Sequence, residues 1–170
     1  MDQKHHLTDE ERVAPDPIVD PITRKMIVRS VEGSSTGSAR TEVRMRGFPV
    51  LVMDEPDTSG GTNTGATPFE VALAALIGCE SVMIAGVAKV MGFEYEGVDF
   101  EASGTFDLRG PKGVPGVRPF FETVELTTVL YTEESPERVE RLARNVEHRC
   151  PVLNLMRDGG VGVSVDWQVP

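Results

Sequence analysis

The stretch Thr67-Pro-Phe-Glu-Val-Ala-Leu-Ala-Ala-Leu-Ile-Gly-Cys-Glu-Ser-Val-Met-Ile-Ala-Gly-Val-Ala-Lys-Val-Met91 decides the fold. Thr67 is placed to cap a helix, Pro68 has the fixed φ that suits a first turn, and Glu70, three residues after the cap, completes a capping box. Gly92 follows Met91 as a residue suited to close the helix. The segment between is apolar on nearly every side, so the spacing predicts a long helix that protein surrounds on most faces. Its length also suits a membrane span, but Glu70, Glu80 and Lys89 interrupt Phe69–Met91. A buried helix of a soluble protein is the better reading.

Outward from this helix the pattern is strand-like. Upstream, Asp54-Glu-Pro-Asp-Thr-Ser-Gly-Gly-Thr-Asn-Thr-Gly-Ala66 has the composition of a loop. Before it, Met26–Val31 is β-rich, Gly33–Ser38 reads as a turn, Arg40–Arg46 alternates with period two, and Phe48–Met53 follows Gly47, which predicts a three-stranded opening meander. Downstream, Phe93–Leu108 and Phe120–Thr132 alternate as the arms of a hairpin whose tip is Gly110-Pro-Lys-Gly-Val-Pro-Gly116. Ser135-Pro-Glu opens a second helix with Val139, Leu142, Ala143 and Val146 on one face. Pro151 ends it near Cys150. A short helical turn over Val152–Arg157, a break at Gly159-Gly160 and a last strand over Val161–Val169 complete an α+β chain.

With 170 residues the chain has the size of one domain, read as 25–170, preceded by a polar arm over 1–24 that contains Pro15, Pro17 and Pro21 and a helical turn at Thr8–Arg12. The formal net charge of −10 repels phosphate backbones and anionic lipids, and the Lys and Arg residues form no basic cluster, so nucleic acid and membrane surfaces are excluded as partners. The charged N-terminus lacks the apolar stretch of a signal peptide, which points to the cytoplasm. There, two cysteines are either inert or redox-active.

Local sequence leaves both thiols open. Cys79, inside the apolar helix, fits a small buried hydrophobe. Cys150 stands at a helix C-terminus, which raises a thiol's pKa, beside His148 and Arg149, which lower it.

Two motifs reach further. The run from Asp54-Glu-Pro through Gly60-Gly-Thr-Asn-Thr-Gly-Ala-Thr-Pro-Phe-Glu to Gly78-Cys79, and the later His148-Arg-Cys-Pro-Val-Leu-Asn154, resemble the two marks of the OsmC-like proteins, relatives of the organic hydroperoxide resistance (Ohr) enzymes. The resemblance spans Met26 to Val169. It implies an OsmC/Ohr-like fold, with antiparallel sheets around a long buried central helix, and an intertwined homodimer with its thiol site at the subunit boundary. It also implies a peroxidase in which Cys79 attacks the O–O bond of an organic hydroperoxide or hydrogen peroxide and Cys150 resolves the sulfenic acid as a disulfide. A small thiol or dithiol then restores the pair, with no metal or organic prosthetic group.

The same resemblance makes Arg40 the cation of the site. Arg44 and Arg46 share its parity and rank below it, and each of the three also fits a solvated surface arginine. The peroxidases place a glutamate directly after the helix-opening proline; here that position is Phe69. Glu70, one residue later, is the candidate acid, yet nine helical steps set it on the face opposite Cys79, so it reads first as the capping residue. Glu80 would raise a thiol's pKa if it faced the same space, and is expected to point to a different neighbour.

Other chemistries have less support. Cys79, His148 and Cys150 lack the second short-spaced pair of a zinc site. Asp54 and Glu55 read as loop residues, and Gly60–Gly65 lacks the lysine and flanking elements of a phosphate loop. Trp167, Phe120 and Phe121 read as core or interface aromatics. The two cysteines favour a hydroperoxide reductase. Phe69 favours the alternative, a catalytically weak relative that binds a small apolar ligand at the dimer interface. A third reading, a redox-switched interaction protein using the acidic arm, stays open beside them.

Overall fold

The computed structural model, which describes residues 25–170, has the α+β composition expected, with three strands, a long helix, two strands, two helices and a last strand. The arm over 1–24 and its turn at Thr8–Arg12 lie outside these residues. The chain divides into two compact units, one reaching to Ala74 and the other Ala75–Pro170.

The first unit holds the meander, β1 (Glu32–Ser35), β2 (Thr41–Arg44) and β3 (Leu51–Met53), antiparallel in that order. Its first strand is displaced from the expected Met26–Val31. Gly37, at φ 84°, turns the chain so that Ser35 faces Thr41, and the ladder then runs out at Glu32 opposite Arg44. Nothing in this sheet is left to pair with Met26–Val31, whose apolar side chains are exposed. The shared parity expected of the arginines also ends early. Arg46 turns to φ 53° beyond β2 and lies over the Phe48 ring at 4.6 Å.

The loop after β3 is stapled by one carboxylate. Asp54, buried, accepts hydrogen bonds from the backbone of Glu55 (2.8 Å) and from both the backbone and the hydroxyls of Thr62 (3.1 and 2.7 Å) and Thr64 (3.1 and 2.9 Å). Donation by the Thr62 hydroxyl leads the effects that hold its pKa well below the usual carboxylate range, against the opposing effect of burial. A Cβ at Gly61 would stand 1.8 Å from the Glu55 carbonyl oxygen and one at Gly65 2.5 Å from that of Val52, so the loop closes only with glycine there.

This loop delivers the chain to α1 (Pro68–Met91). The capping box forms: the Thr67 N–H donates to Glu70 Oε2 at 2.6 Å, and the Glu70 N–H donates to Thr67 Oγ1 at 3.3 Å. Gly92 closes the helix at φ 56°.

The second unit contains β4 (Gly97–Thr105), β5 (Thr123–Tyr131), α2 (Pro136–Arg149), α3 (Pro151–Asp158) and β6 (Gly162–Gln168). β4 and β5 form the expected antiparallel hairpin, but β5 and β6 pair in parallel, so this sheet is mixed rather than antiparallel. The two intervening helices provide the crossover that a parallel pair requires. On β5 Val124, Leu126, Thr128 and Leu130 point inward, and Leu130 joins Ile84, Val87, Ala88, Phe93, Val139, Leu142 and Val146 in the core. Burying each Val, Leu or Ile there contributes roughly 1.5–3 kcal/mol.

Among the described residues α1 is the one helix long and apolar enough to cross a bilayer. In the single chain it buries a stripe, Leu76, Glu80, Ile84, Val87 and Ala88, rather than most of its faces; Val82 is 63% and Val90 52% exposed.

Candidate functional site

Cys150 stands at a corner made by its own neighbours. Its N–H closes α2 by donating to the Val146 carbonyl at 2.9 Å, its backbone is extended at φ −68°, ψ 110°, and Pro151 begins α3. One residue thus ends one helix and caps the next, with Sγ accepting from the Leu153 N–H at 3.5 Å. Asn154 secures the corner: its side-chain amide donates to the carbonyls of Glu147 (3.0 Å), His148 (3.1 Å) and Cys150 (2.9 Å), satisfying acceptors that the end of α2 leaves open. This is the physical content of His148-Arg-Cys-Pro-Val-Leu-Asn154.

The corner buries Cys150 completely and sets its thiol beside two residues of α1, Cys79 and Glu80, close enough for both to act on its acidity. Both cysteines are free thiols, and Cys79 is half-buried where Cys150 is enclosed. Burial pushes the Cys150 thiol far above its ordinary pKa; Cys79 and Glu80 add to the rise, and the Leu153 N–H opposes it. The question left open by the opposing effects of helix end and neighbouring cations is thus decided mainly by desolvation.

Glu80 points, as expected, to neighbours other than Cys79: the Cys150 corner, Glu147 and Arg157. It lies four residues from Leu76 and four from Ile84, so it shares their stripe and is fully buried against the corner. Neither carboxyl oxygen has a partner with full hydrogen-bond geometry; the Cys150 thiol acts on it short of that geometry. Burial raises its pKa to about 7, with the Glu147 charge adding to the rise while the Cys150 thiol and the Arg157 charge oppose it.

Behind this pair lies a closed polar set. Glu147 of α2 accepts from Arg157 of α3 at 2.7 Å and from the indole Nε1 of Trp167 on β6 at 3.2 Å. Trp167 packs against the core, as read, and also provides this hydrogen bond. Glu80, Glu147, Asn154 and Arg157 were absent from the sequence-derived site. For Glu80 the signal existed, a carboxylate on the i, i+4 stripe between Leu76 and Ile84; the others act through tertiary neighbours.

Arg40 and Glu70 belong to the first unit and are bound within it. Arg40 donates to Glu42 at 2.9 Å, while Arg44 reaches Glu42 and Ser34, each at 3.3 Å. Donation from the Thr67 N–H leads the effects that lower the pKa of Glu70. Among the described residues no group of three or more His, Cys, Asp or Glu side chains is arranged to hold a metal ion. Chemically, the second unit offers a reachable thiol, a protonated thiol enclosed beside it, and a carboxyl that can exchange a proton near neutrality.

A family model described as OsmC-like protein matches residues 61–166. Among solved structures, an OsmC-like protein from Mycoplasma pneumoniae superposes with a TM-score of 0.68 at 14% identity, covering 85% of this chain and 96% of its own. An organic hydroperoxide resistance protein OsmC from Legionella pneumophila gives 0.66 at 20% identity, with 86% and 100% covered. An organic hydroperoxide resistance protein from Elizabethkingia anophelis gives 0.64 at 19%, again with 86% and 100% covered. At these identities the likeness is one of fold. No curated protein sequence is similar enough to match the chain.

Proposed function

The chain belongs to the OsmC-like family, and from that premise we propose that it is a cytoplasmic, thiol-dependent peroxidase that reduces organic hydroperoxides or hydrogen peroxide through Cys79 and Cys150. The observation that carries this reading is the juxtaposition of a half-buried Cys79 with a fully buried Cys150, near enough for Cys79 to act on the acidity of Cys150. The two environments suit two roles: the more accessible sulfur meets the peroxide, and the enclosed one waits for it.

In the first step the Cys79 thiolate attacks one oxygen of the O–O bond. That bond breaks, the alkoxide or hydroxide leaves and takes up a proton, and Cys79 becomes a sulfenic acid. The Cys150 sulfur then attacks the Cys79 sulfur, the S–O bond breaks, and water leaves as the disulfide forms. A small dithiol reduces the disulfide by exchange. Arg40 is the cation assigned to stabilise the thiolate and the departing oxygen. Glu70 is assigned to the helix cap, an assignment supported by its bonds to Thr67. The proposed working unit is a homodimer, supported by the apolar face of α1 that a single chain leaves exposed at Val82 and Val90.

The reading is tested by following consumption of cumene hydroperoxide and hydrogen peroxide with dithiothreitol as reductant. The reduced protein should turn over at least one of them, Cys79→Ser should abolish turnover, and Cys150→Ser, treated without dithiothreitol, should consume one equivalent and hold a trappable sulfenic acid. No consumption by the unmodified protein would overturn the reading in favour of the ligand-binding alternative that rests on Phe69.

A further inference from the structure

We propose that Glu80 is the proton acceptor of the resolving step, taking the Cys150 thiol proton as that sulfur attacks the sulfenic acid on Cys79. The inference rests on the two-cysteine reading above and adds a residue to it. Cys150 is fully buried beside a carboxyl, so its thiolate is scarce near neutral pH and its attack requires a base. Three groups act on Glu80, namely Cys150 from the corner, Glu147 from α2 and Arg157 from α3, while Cys79 on its own helix acts on Cys150. Glu147 already accepts from Arg157 and Trp167, which engages both of its oxygens. Glu80 is the carboxyl with accepting capacity to spare, since neither oxygen holds a full hydrogen bond, and it lies next to the thiol that must lose a proton.

The step balances within the site. The S–H proton of Cys150 passes to the Glu80 carboxylate, the Cys150 sulfur bonds to the Cys79 sulfur, and the S–O bond breaks. The Cys150 sulfur is oxidised and the sulfenic sulfur reduced. The departing hydroxide takes the proton back from Glu80 and leaves as water, so Glu80 ends as it began. A base that both accepts and returns a proton works best with a pKa near the operating pH, which its value of about 7 provides.

The test compares unmodified protein with Glu80→Gln in two single-turnover reactions followed by stopped flow and mass spectrometry. One uses one equivalent of cumene hydroperoxide. The other uses 5,5′-dithiobis(2-nitrobenzoate), which forms a mixed disulfide at Cys79 without any peroxide and releases a second thiolate when Cys150 attacks. Glu80→Gln should leave the first phase of each within about twofold, slow the second at least about tenfold, and abolish its rise with a midpoint near pH 7. Glu80→Asp should recover part of the rate. A second phase in Glu80→Gln that matches the unmodified protein in rate and pH profile overturns the role. Should that variant fail to fold, a flat second phase between pH 6 and pH 8 in the unmodified protein overturns it. A second phase with the aromatic disulfide that Glu80→Gln slows, in a protein that ignores hydroperoxides, supports the base while removing the peroxidase.

Discussion

The carboxyl of Glu80 and the thiol of Cys150 lie beside each other in the interior of the C-terminal unit, and each alters the acidity of the other. The carboxyl adds to the rise in the thiol's pKa, and the thiol partly offsets the rise that burial imposes on the carboxyl. A buried acid whose oxygens lack full hydrogen bonds costs stability. The apolar stripe of α1 would pack better with a leucine or methionine there, so the acid is better explained by chemistry than by packing.

That cost has a sign that depends on pH. Burial raises the pKa of Glu80 in the folded protein to about 7 from an ordinary 4.5, so the folded state binds the extra proton between those values. Its contribution is most favourable below the unfolded pKa and is lost as pH rises through the folded one, by on the order of 3 kcal/mol. Urea midpoints measured at pH 5 and pH 8 should therefore fall more for the unmodified protein than for Glu80→Gln. Equal falls would show that Glu80 is not held neutral by its surroundings.

The helix start separates structure from chemistry. Thr67→Ala removes the one hydroxyl that both accepts from the Glu70 N–H and donates to the Glu70 carboxylate, and should cost about 1 kcal/mol in chemical denaturation. Glu70→Gln should change neither stability nor peroxide turnover by much, because an amide oxygen can still accept from the Thr67 N–H. A large loss of turnover in Glu70→Gln would give this carboxyl a part in the reaction.

The features legible in the sequence were those written in adjacent residues. Thr67, Pro68 and Glu70 announce a helix start, and Pro151 a helix end, because capping and proline sterics act within a few positions. Tertiary features were not legible. The β-rich Met26–Val31 was expected to be a strand, but a strand exists only where a ladder partner does, and the turn at Gly37 set a register that ends at Glu32. The parallel pairing of β5 with β6 depends on where two helices return the chain. Glu80 looked misplaced beside a cysteine because its neighbour, Cys150, is remote in sequence, although its spacing from Leu76 and Ile84 already placed it on the buried stripe.

For Arg40 the expected outcome is kinetic. If its guanidinium stabilises the thiolate and the departing oxygen, Arg40→Ala should lower peroxide turnover at least about tenfold, or roughly 1.4 kcal/mol, with Arg44→Ala and Arg46→Ala doing less. Equal small effects from all three would leave Arg40 with its bond to Glu42 as a surface residue.

The exposed apolar side of α1 sets the expected assembly. Sedimentation equilibrium at micromolar concentration should find a dimer, and Val82→Glu should weaken it, since a carboxylate there would be desolvated on association. A compact, stable monomer for the unmodified protein would remove the homodimer.

Whether Cys79 and Cys150 act as one redox pair is decided by intact-mass spectrometry and thiol counting after one equivalent of organic hydroperoxide is added to the reduced protein. Both thiols should vanish together, with the loss of two hydrogens and one peptide pair joining Cys79 to Cys150. Two free thiols after treatment, or products that are only intermolecular, would contradict it.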